Sequence, residues 1–300
     1  MLLMEGKTPA GRIRDWVRRQ VEELRTPLGV FRLLSLCVGD DPASEAYRRN
    51  QIRACEASGI ETATVRLPST ATEQDARDRI LEFNHDETVD GVILQTPLPP
   101  SWDVRKLREA LDPDKDVEGT HPENLGRLFL GCTGHPLPCA AWSAALLLDW
   151  YGCGDLKGKV AAVVGQSATV GRPLSTLLFH RGATVVQIHE FTPPGRLEAF
   201  LKGAEVVAVA AGVPGLVRGA SLSPGAWVVD VGTNPTPGKG LVGDVAPDAA
   251  GVAGALTPVP GGVGPLTVSL LLANLLLLAT RRRAGRPVEL PDLKELRSAP

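Results

Sequence analysis

The spacing of apolar residues divides the chain into two runs of alternating strands and helices. Apolar side chains recur at the helical period from Ile13 to Leu24, which predicts an amphipathic helix near the amino terminus. Apolar runs at 30–39, 62–68 and 90–100 predict strands, because a strand covered on both faces does not alternate with polar residues. Helical patterns lie between these runs. Strands that alternate with helices are typical of right-handed βαβ units and a parallel sheet.

A second run of the same kind follows residue 158. Strand patterns occur at 159–165, 183–190, 204–212 and 226–232, and helical patterns follow the first two. This half is typical of a dinucleotide-binding sheet. We therefore predict an α/β fold of two domains, one built from βαβ units and one Rossmann-like, with a cleft between them.

Composition and charge exclude several partners. The chain has 300 residues, 43% of them hydrophobic, which is enough for two domains of ordinary size. Its formal net charge is −2 and neither sign forms long blocks, so we predict no nucleic-acid or membrane partner. We interpret the arginine run 281–283 as the solvated end of a helix. The apolar segment 266–280 is shorter than a membrane span and predicts a buried helix.

The metal-ligating residue types carry no pattern of a metal centre. Five cysteines form no C-x-x-C pair, and five histidines lack i, i+4 spacing, so we predict no metal. Reduced thiols favour a cytoplasmic protein.

A candidate phosphate-binding turn follows the first strand of the second half. The sequence VVGQSATVGRP at 163–173 places Gly165 and Gly171 between a strand and a helix, where glycine lets the backbone approach a pyrophosphate. Ser167 stands where the second glycine of G-x-G-x-x-G is expected. A tight turn that binds nothing remains the alternative.

Glu190 is predicted to select the cofactor. It ends the next strand, where a carboxylate accepts hydrogen bonds from both ribose hydroxyls and repels a 2′-phosphate, which favours NAD over NADP. A solvated glutamate is the alternative, and Arg172 and Arg181 are near enough in sequence to neutralise a phosphate.

Several longer blocks extend along nearly the whole chain. They are VGDDPAS, ILQTPLP, DPDKDVEGTHPENLGRL, VVGQSATVGRPLSTLL, AAGVPG, VVDVGTN, GDV and TPVPGGVGPLT. Together they resemble the bifunctional methylenetetrahydrofolate dehydrogenase/cyclohydrolase (FolD) family. The resemblance implies an NAD(P)-dependent enzyme of one-carbon metabolism that acts on tetrahydrofolate derivatives, forms a homodimer and is cytoplasmic. It also implies a folate-binding catalytic domain at 1–121, joined by the C-terminal helix after 275, a Rossmann domain at 122–280 and a tail at 281–300.

The resemblance also implies the site residues. The residues at the family's catalytic positions are Tyr47, Gln51, Gln95 and Glu118. Those that contact substrate are Tyr47, Gln95, Glu118, Pro260, Gly261 and Gly262. Those that bind cofactor are Gly165, Gln166, Ser167, Val170, Gly171, Glu190, Ala211, Gly212 and Thr233.

The chain departs from the family pattern at several of these positions. Gln51 replaces the catalytic lysine, and Glu118 replaces the aspartate of D-V-D-G. The block PCAAWS at 138–143 replaces PCTPxG. Gln166 and Glu190 replace an arginine and a serine that suit NADP, which again favours NAD.

The departures bear unequally on the two implied reactions. Hydride transfer from methylenetetrahydrofolate requires chiefly proximity and orientation, whereas hydrolysis of the methenyl cation requires a group that takes a proton. Gln51 cannot take one at neutral pH. Our hypothesis is that dehydrogenase activity survives better than cyclohydrolase activity. Glu118, Glu56 or bound water could substitute for the lysine. A non-catalytic paralogue that binds folate or a dinucleotide, and an oxidoreductase for an unrelated substrate, remain alternatives.

Overall fold

The helices and strands follow the two predicted runs, with additional short strands. The computed structural model describes residues 1–40, 42–238 and 240–298, without the side chains of 42–44, 46, 47, 294 and 298. The strands are β1 (Leu2–Leu3), β2 (Arg32–Val38), β3 (Glu61–Leu67), β4 (Gly91–Leu94), β5 (Val160–Val164), β6 (Thr184–Ile188), β7 (Val206–Val209), β8 (Trp227–Asp230), β9 (Asn234–Thr236), β10 (Gly240–Val242) and β11 (Ala255–Leu256). The helices are α1 (Lys7–Leu28), α2 (Pro42–Ala57), α3 (Glu73–His85), α4 (Val104–Ala110), α5 (Pro122–Phe129), α6 (Cys139–Tyr151), α7 (Gly171–His180), α8 (Pro194–Lys202), α9 (Val263–Ala284) and α10 (Leu293–Ser298).

The chain forms two compact units, and each is made from two separate stretches of sequence. Residues 11–137 and 268–300 form the small-sheet unit, and residues 1–10 and 138–267 form the large-sheet unit. The units therefore change over at 137/138 and 267/268, whereas the domain boundaries expected from the sequence were 121/122 and 280/281. Helix α5 belongs to the small-sheet unit. The functional domain boundaries stay a prediction.

The small-sheet unit is built on the parallel sheet β3-β2-β4. Apolar side chains from the strands pack against α3 and α4 in one buried cluster, because one face of each amphipathic helix must leave water. Members of this cluster include Leu34, Leu36, Ile80, Phe83, Val92 and Leu107. The predicted βαβ architecture is confirmed here.

The large-sheet unit contains a six-stranded sheet of order β1-β11-β8-β7-β5-β6, in which all adjacent pairs are parallel. Strand β5 pairs with β6 on one side and with β7 on the other, so the strand order reverses at β5. Such a reversal opens a crevice at the carboxyl ends of the strands, where ligands bind. The Rossmann-like prediction is confirmed. The short strands β1 and β11 were not predicted, because two residues carry no periodic signal.

Helix α9 is the buried apolar helix expected from the sequence. Its length and composition would suffice to cross a membrane, but 83% of its most apolar window is buried inside the protein. It therefore serves as a core helix.

The arginine run at the end of α9 is not solvated, so that prediction is wrong. Arg282 and Arg283 both bind the carboxylate of Asp90, at N–O distances of 2.7 and 2.6 Å, and Arg281 binds Asp114. Asp90 is fully buried at the start of β4. Arg283 also donates to the carbonyls of Leu28 and Val30. The run fastens the end of α9 to β4 and to the end of α1, because a buried carboxylate requires charged partners.

Candidate functional site

Two glutamine side chains meet at the carboxyl end of the small sheet. Gln95 directly follows β4, and its amide Nε2 donates to Oε1 of Gln51 on α2 at 2.6 Å and to Oγ of Ser35 on β2 at 3.3 Å. Both glutamines are buried, with 2% of Gln51 and 4% of Gln95 exposed. The amide Nε2 of Gln51 has no hydrogen-bond partner among the described residues. The pair thus leaves one buried donor for another molecule, since an unpaired buried N–H is unfavourable.

Glu118 adjoins the same strand end. The backbone of Leu94, the last residue of β4, donates a hydrogen bond to the Glu118 carboxyl group. Burial and the nearby Asp116 carboxyl raise the pKa of Glu118 to about 7, and Arg108 and the Leu94 bond lower it by less. Glu118 therefore exists in both protonation states near neutral pH.

Asp116 orders the segment that carries Glu118. Its carboxylate accepts from the His121 backbone at 2.7 Å and from the Asn124 amide at 3.0 Å. Burial raises the pKa of Asp116. The structure brings Gln51, Gln95 and Glu118 to the end of β4, and their catalytic roles stay a prediction. Tyr47 lies on α2, but its side chain is outside the described part of the structure.

In the large-sheet unit, two positions of the turn after β5 have room for glycine only. Gly165 has a φ of +91°, and a Cβ there would lie 2.1 Å from the carbonyl oxygen of Ala210. A Cβ on Gly171 would lie 1.8 Å from the carbonyl oxygen of Gly165. Ser167 accepts a hydrogen bond from the Val170 backbone at 3.1 Å, so that N–H serves the turn itself. The turn brings the amino end of α7 against the end of β5.

Two hydrogen-bond acceptors flank this turn. Gln166 donates through Nε2 to the carbonyl of Val163, and its Oε1 is buried without a partner in the described residues. Glu190 is exposed two residues beyond β6. Arg181 binds Asp149 at 2.7 Å, so it is committed elsewhere, whereas Arg172 is exposed at the second position of α7.

Two buried aspartates that sequence reasoning did not single out hold the loops after β7 and β8. Asp244 accepts from the backbones of Ala211 and Gly212 at 2.6 and 2.9 Å, and from the Asn234 amide at 2.8 Å. Asp230, the last residue of β8, accepts from the backbones of Gly232, Asp244 and Val245. In the sequence they stand in the blocks VVDVGTN and GDV, which gave the family resemblance but assigned no role to either aspartate.

Those glycines are required by the carboxylates. A Cβ on Gly232 would lie 2.3 Å from the Asp244 carboxyl carbon, and one on Gly243 would lie 1.8 Å from an Asp230 oxygen. Burial raises the pKa of Asp230 to about 6, and its three backbone hydrogen bonds oppose this. Thr233 is exposed in the same region.

The glycine-rich loop before α9 packs on the amino-terminal segment. Gly261 has a φ of +113°, and its carbonyl accepts from the Gly6 backbone at 2.8 Å. A Cβ on Gly6 would lie 1.8 Å from the Gly262 carbonyl oxygen. Pro260 is exposed beside them. Gly6 is therefore a further residue on which the geometry of the loop depends.

Comparison with known proteins identifies a family domain in each half of the chain. The family model of the tetrahydrofolate dehydrogenase/cyclohydrolase catalytic domain matches residues 4–118, and that of the NAD(P)-binding domain matches residues 138–283. The chain belongs to the tetrahydrofolate dehydrogenase/cyclohydrolase family. The resemblance given by the sequence blocks is thereby confirmed.

Relatives of this family match over nearly their whole length. Bifunctional protein FolD of Acidiphilium cryptum is 43% identical over 282 residues, which cover 94% of this chain and 99% of the relative. The crystal structure of FolD from Campylobacter jejuni has a TM-score of 0.90 at 36% identity, and covers 94% of this chain and 99% of its own. FolD of Trypanosoma brucei, solved with NADP and an inhibitor, has a TM-score of 0.89 at 34% identity over 94% of this chain and 98% of its own.

The cofactor class of the family is a nicotinamide dinucleotide, and the large-sheet unit fits such a group. The close packing of Gly165 and Gly171 lets a ligand approach the backbone at the amino end of α7. The unpartnered Oε1 of Gln166 supplies an acceptor beside it. The predicted residues Ala211 and Gly212 lie in the loop after β7, where their N–H groups are bound by Asp244 and are not free for a ligand.

Proposed function

We propose that this chain is an NAD-dependent 5,10-methylenetetrahydrofolate dehydrogenase with weak methenyltetrahydrofolate cyclohydrolase activity. The observation that carries the proposal is the buried amide pair of Gln51 and Gln95 at the end of β4. It occupies the place where the family's catalytic lysine is expected, and neither amide takes a proton at neutral pH.

The amide pair suits the oxidation step. When bound, the dinucleotide accepts the hydride from the one-carbon unit of the substrate. The protein must then hold the substrate in a reactive orientation, and fixed hydrogen bonds achieve this without acid or base. Ser35 and Gln51 fix the Gln95 amide from two sides. The free N–H of Gln51 then binds an oxygen of the folate or a water molecule.

The same pair does not suit hydrolysis of the methenyl product. Water addition and ring opening require proton transfer, which positioned acids and bases accelerate by about 10²- to 10⁴-fold. Glu118 has a pKa near 7 and lies beside β4, so it supplies a residual proton-accepting group. We assign it two roles, binding the pterin N–H groups as a carboxylate and supporting slow hydrolysis. Tyr47, Pro260, Gly261 and Gly262 are assigned to substrate contact.

The preference for NAD is supported by the side chains around the phosphate turn. Glu190 presents a carboxylate, which pairs with ribose hydroxyls and repels a 2′-phosphate, and Gln166 presents a neutral acceptor. Arg181 is held by Asp149. Among the positively charged residues with an exposed side chain, Arg172 is the nearest in sequence to the turn, so any use of NADP should depend on it.

We further propose that the protein is a cytoplasmic homodimer. Light scattering tests the dimer, because the mass of one chain is 31.7 kDa.

The first experiment is an activity assay with 5,10-methylenetetrahydrofolate and either NAD or NADP. It follows nicotinamide reduction and methenyl accumulation together. We expect reduction with NAD and accumulation of the methenyl product. Prompt conversion to the formyl product would contradict weak hydrolysis, and faster reduction with NADP would contradict the cofactor preference. No reduction by folded protein would favour a non-catalytic paralogue.

A further inference from the structure

The loops that follow β7 and β8 are joined through one side chain. Asp244 is fully buried, and one of its oxygens accepts from both Ala211 and Gly212 while the other accepts from Asn234. Ala211 and Gly212 follow β7, and Asn234 opens the hairpin after β8. The carboxyl ends of neighbouring parallel strands form the ligand-binding edge of a Rossmann sheet. Asp244 thus joins two loops of that edge through hydrogen bonds.

The backbone of Asp244 is fixed as firmly as its side chain. Its N–H donates to Asp230 at 3.0 Å and its carbonyl accepts from Val217 at 3.0 Å. Val217 and Val245 also form a parallel bridge. Gly232 packs so closely on the carboxyl group that no side chain fits between them. The oxygen atoms of Asp244 therefore have little freedom to move away from the loops they bind.

The bond pattern determines how the loop after β7 faces a ligand. Because Ala211 and Gly212 direct their N–H groups to Asp244, they do not supply these donors to a cofactor. The side of their backbone that faces a ligand is instead held in place by these two hydrogen bonds. A carboxylate with three N–H partners holds this backbone more firmly than neutral acceptors do, since charge-assisted bonds are the stronger kind.

We propose that Asp244 is a positioning residue for the dinucleotide site, acting by holding the loop 210–212 in the form that binds the cofactor. The inference rests on the proposed function, because it takes that loop as part of the dinucleotide site. Asp244 acts through this loop, because its carboxylate accepts hydrogen bonds from the backbones of Ala211 and Gly212. Its loss should weaken dinucleotide binding specifically.

Isothermal titration with NAD, and in parallel with NADP, tests this on the full-length protein. Asp244→Ala should raise the NAD Kd by tenfold or more at a temperature where circular dichroism shows the variant to be folded. Its affinity for tetrahydrofolate should stay within threefold of the unaltered protein. Asp244→Asn should restore part of the NAD affinity, because its remaining oxygen can still accept from Ala211 and Gly212, whereas the bond from Asn234 is lost.

Val228→Ala is the matched control for general destabilisation. Val228 is fully buried on β8 and bonds to none of the loop groups through its side chain. It should lower the melting temperature with less than a threefold change in NAD Kd. The inference is overturned if Asp244→Ala binds NAD within threefold of the unaltered protein, or no more weakly than Val228→Ala. If the unaltered protein binds neither NAD nor NADP, the proposed function falls and this inference falls with it.

Discussion

At the scale of single residues, Gln51 determines which chemistry the small-sheet unit can support. Its Oε1 is already engaged by Gln95, and its Nε2 is a buried donor without a partner in the described chain. A glutamine so placed can orient an oxygen atom but cannot change its charge. At this position, the side chain of Gln51 can therefore orient a substrate but cannot exchange a proton with it.

Restoring a lysine should restore hydrolysis. We expect Gln51→Lys to raise methenyl hydrolysis on the order of a hundredfold, because burial lowers the pKa of an ammonium group and lets it exchange protons near neutral pH. Gln51→Met, of similar length, should not raise it. The measurement is the rate of methenyl loss in each variant. Retained dehydrogenase activity without faster hydrolysis in Gln51→Lys would contradict the assignment.

Glu118 should make folate binding depend on pH. Its pKa of about 7 means that the carboxylate form, which accepts pterin N–H groups, is the minority species at pH 6 and the majority species at pH 8. We expect tetrahydrofolate affinity to rise about tenfold over that interval. Titrations at both pH values check this.

Two glutamate variants complete the pH test. Glu118→Gln should remove the pH dependence, whereas Glu123→Gln, at an exposed position on α5, should keep it. Affinity that falls as pH rises would show that the protonated acid is the binding form.

The raised pKa of Glu118 also has a consequence for the stability of the protein. Because the folded pKa lies above the usual 4.5, ionisation between pH 4.5 and 7 should lower the free energy of unfolding relative to Glu118→Gln.

Sequence predicts the position of a residue best where only one residue type fits. Gly165 and Gly171 form the tight turn between β5 and α7, and Gln95 follows β4, as the sequence patterns predicted, whereas their binding and catalytic roles stay predictions. The roles of Asp230 and Asp244 were not predictable, because Asp230 accepts from N–H groups 14 and 15 residues away and Asp244 accepts from N–H groups 33 and 32 residues away. The raised pKa of Glu118 likewise depends on Asp116 and on burial, neither of which sequence spacing reveals.

At the scale of secondary-structure elements, strand β4, which leads to Gln95, is anchored at its opposite end. Asp90 precedes β4, where Arg282 and Arg283 from α9 bind it and the Arg32 backbone donates to it. Burial raises the pKa of Asp90 even with these partners present. The arginine run looked like a solvated helix end because sequence gives no sign that a buried acceptor lies opposite.

Breaking this anchor should be strongly destabilising. Asp90→Ala removes the shared carboxylate and leaves two partly buried guanidinium groups without their charge partner, which should lower the free energy of unfolding by about 3 kcal/mol. Glu82→Gln, in the exposed pair with Arg79, is the control and should lower it by less than about 1 kcal/mol. Urea unfolding measures both. Equal effects would show that the buried anchor contributes no more than a surface pair.

At the scale of the whole molecule, the fold class predicted from the sequence is confirmed, whereas the functional domain boundaries stay a prediction beside the compact units of the structure. The two alternating runs were enough to give two α/β units. The short strands β1 and β11, which bring residues 1–10 into the large-sheet unit, were missed because pairing between distant segments leaves no local pattern. The sequence blocks identified the family, which periodicity alone could not do.

Cofactor binding should be visible in the stability of the whole protein. At NAD concentrations of a hundred times Kd, binding to the folded state adds about 2.7 kcal/mol, which should raise the melting temperature by several degrees. Differential scanning calorimetry with NAD, NADP and adenosine measures it. A shift with adenosine as large as that with NAD would argue against recognition of the dinucleotide.

The pairing of β1 with β11 also sets an order of events during synthesis. Leu2 and Leu3 leave the ribosome long before the strand beside them, Ala255–Leu256. At about 5 to 20 residues per second, β1 waits roughly ten to fifty seconds for that strand. The large sheet can therefore be completed only after Leu256 has been made, and synthesis that stops before Ala255 yields a chain whose first strand lacks its partner.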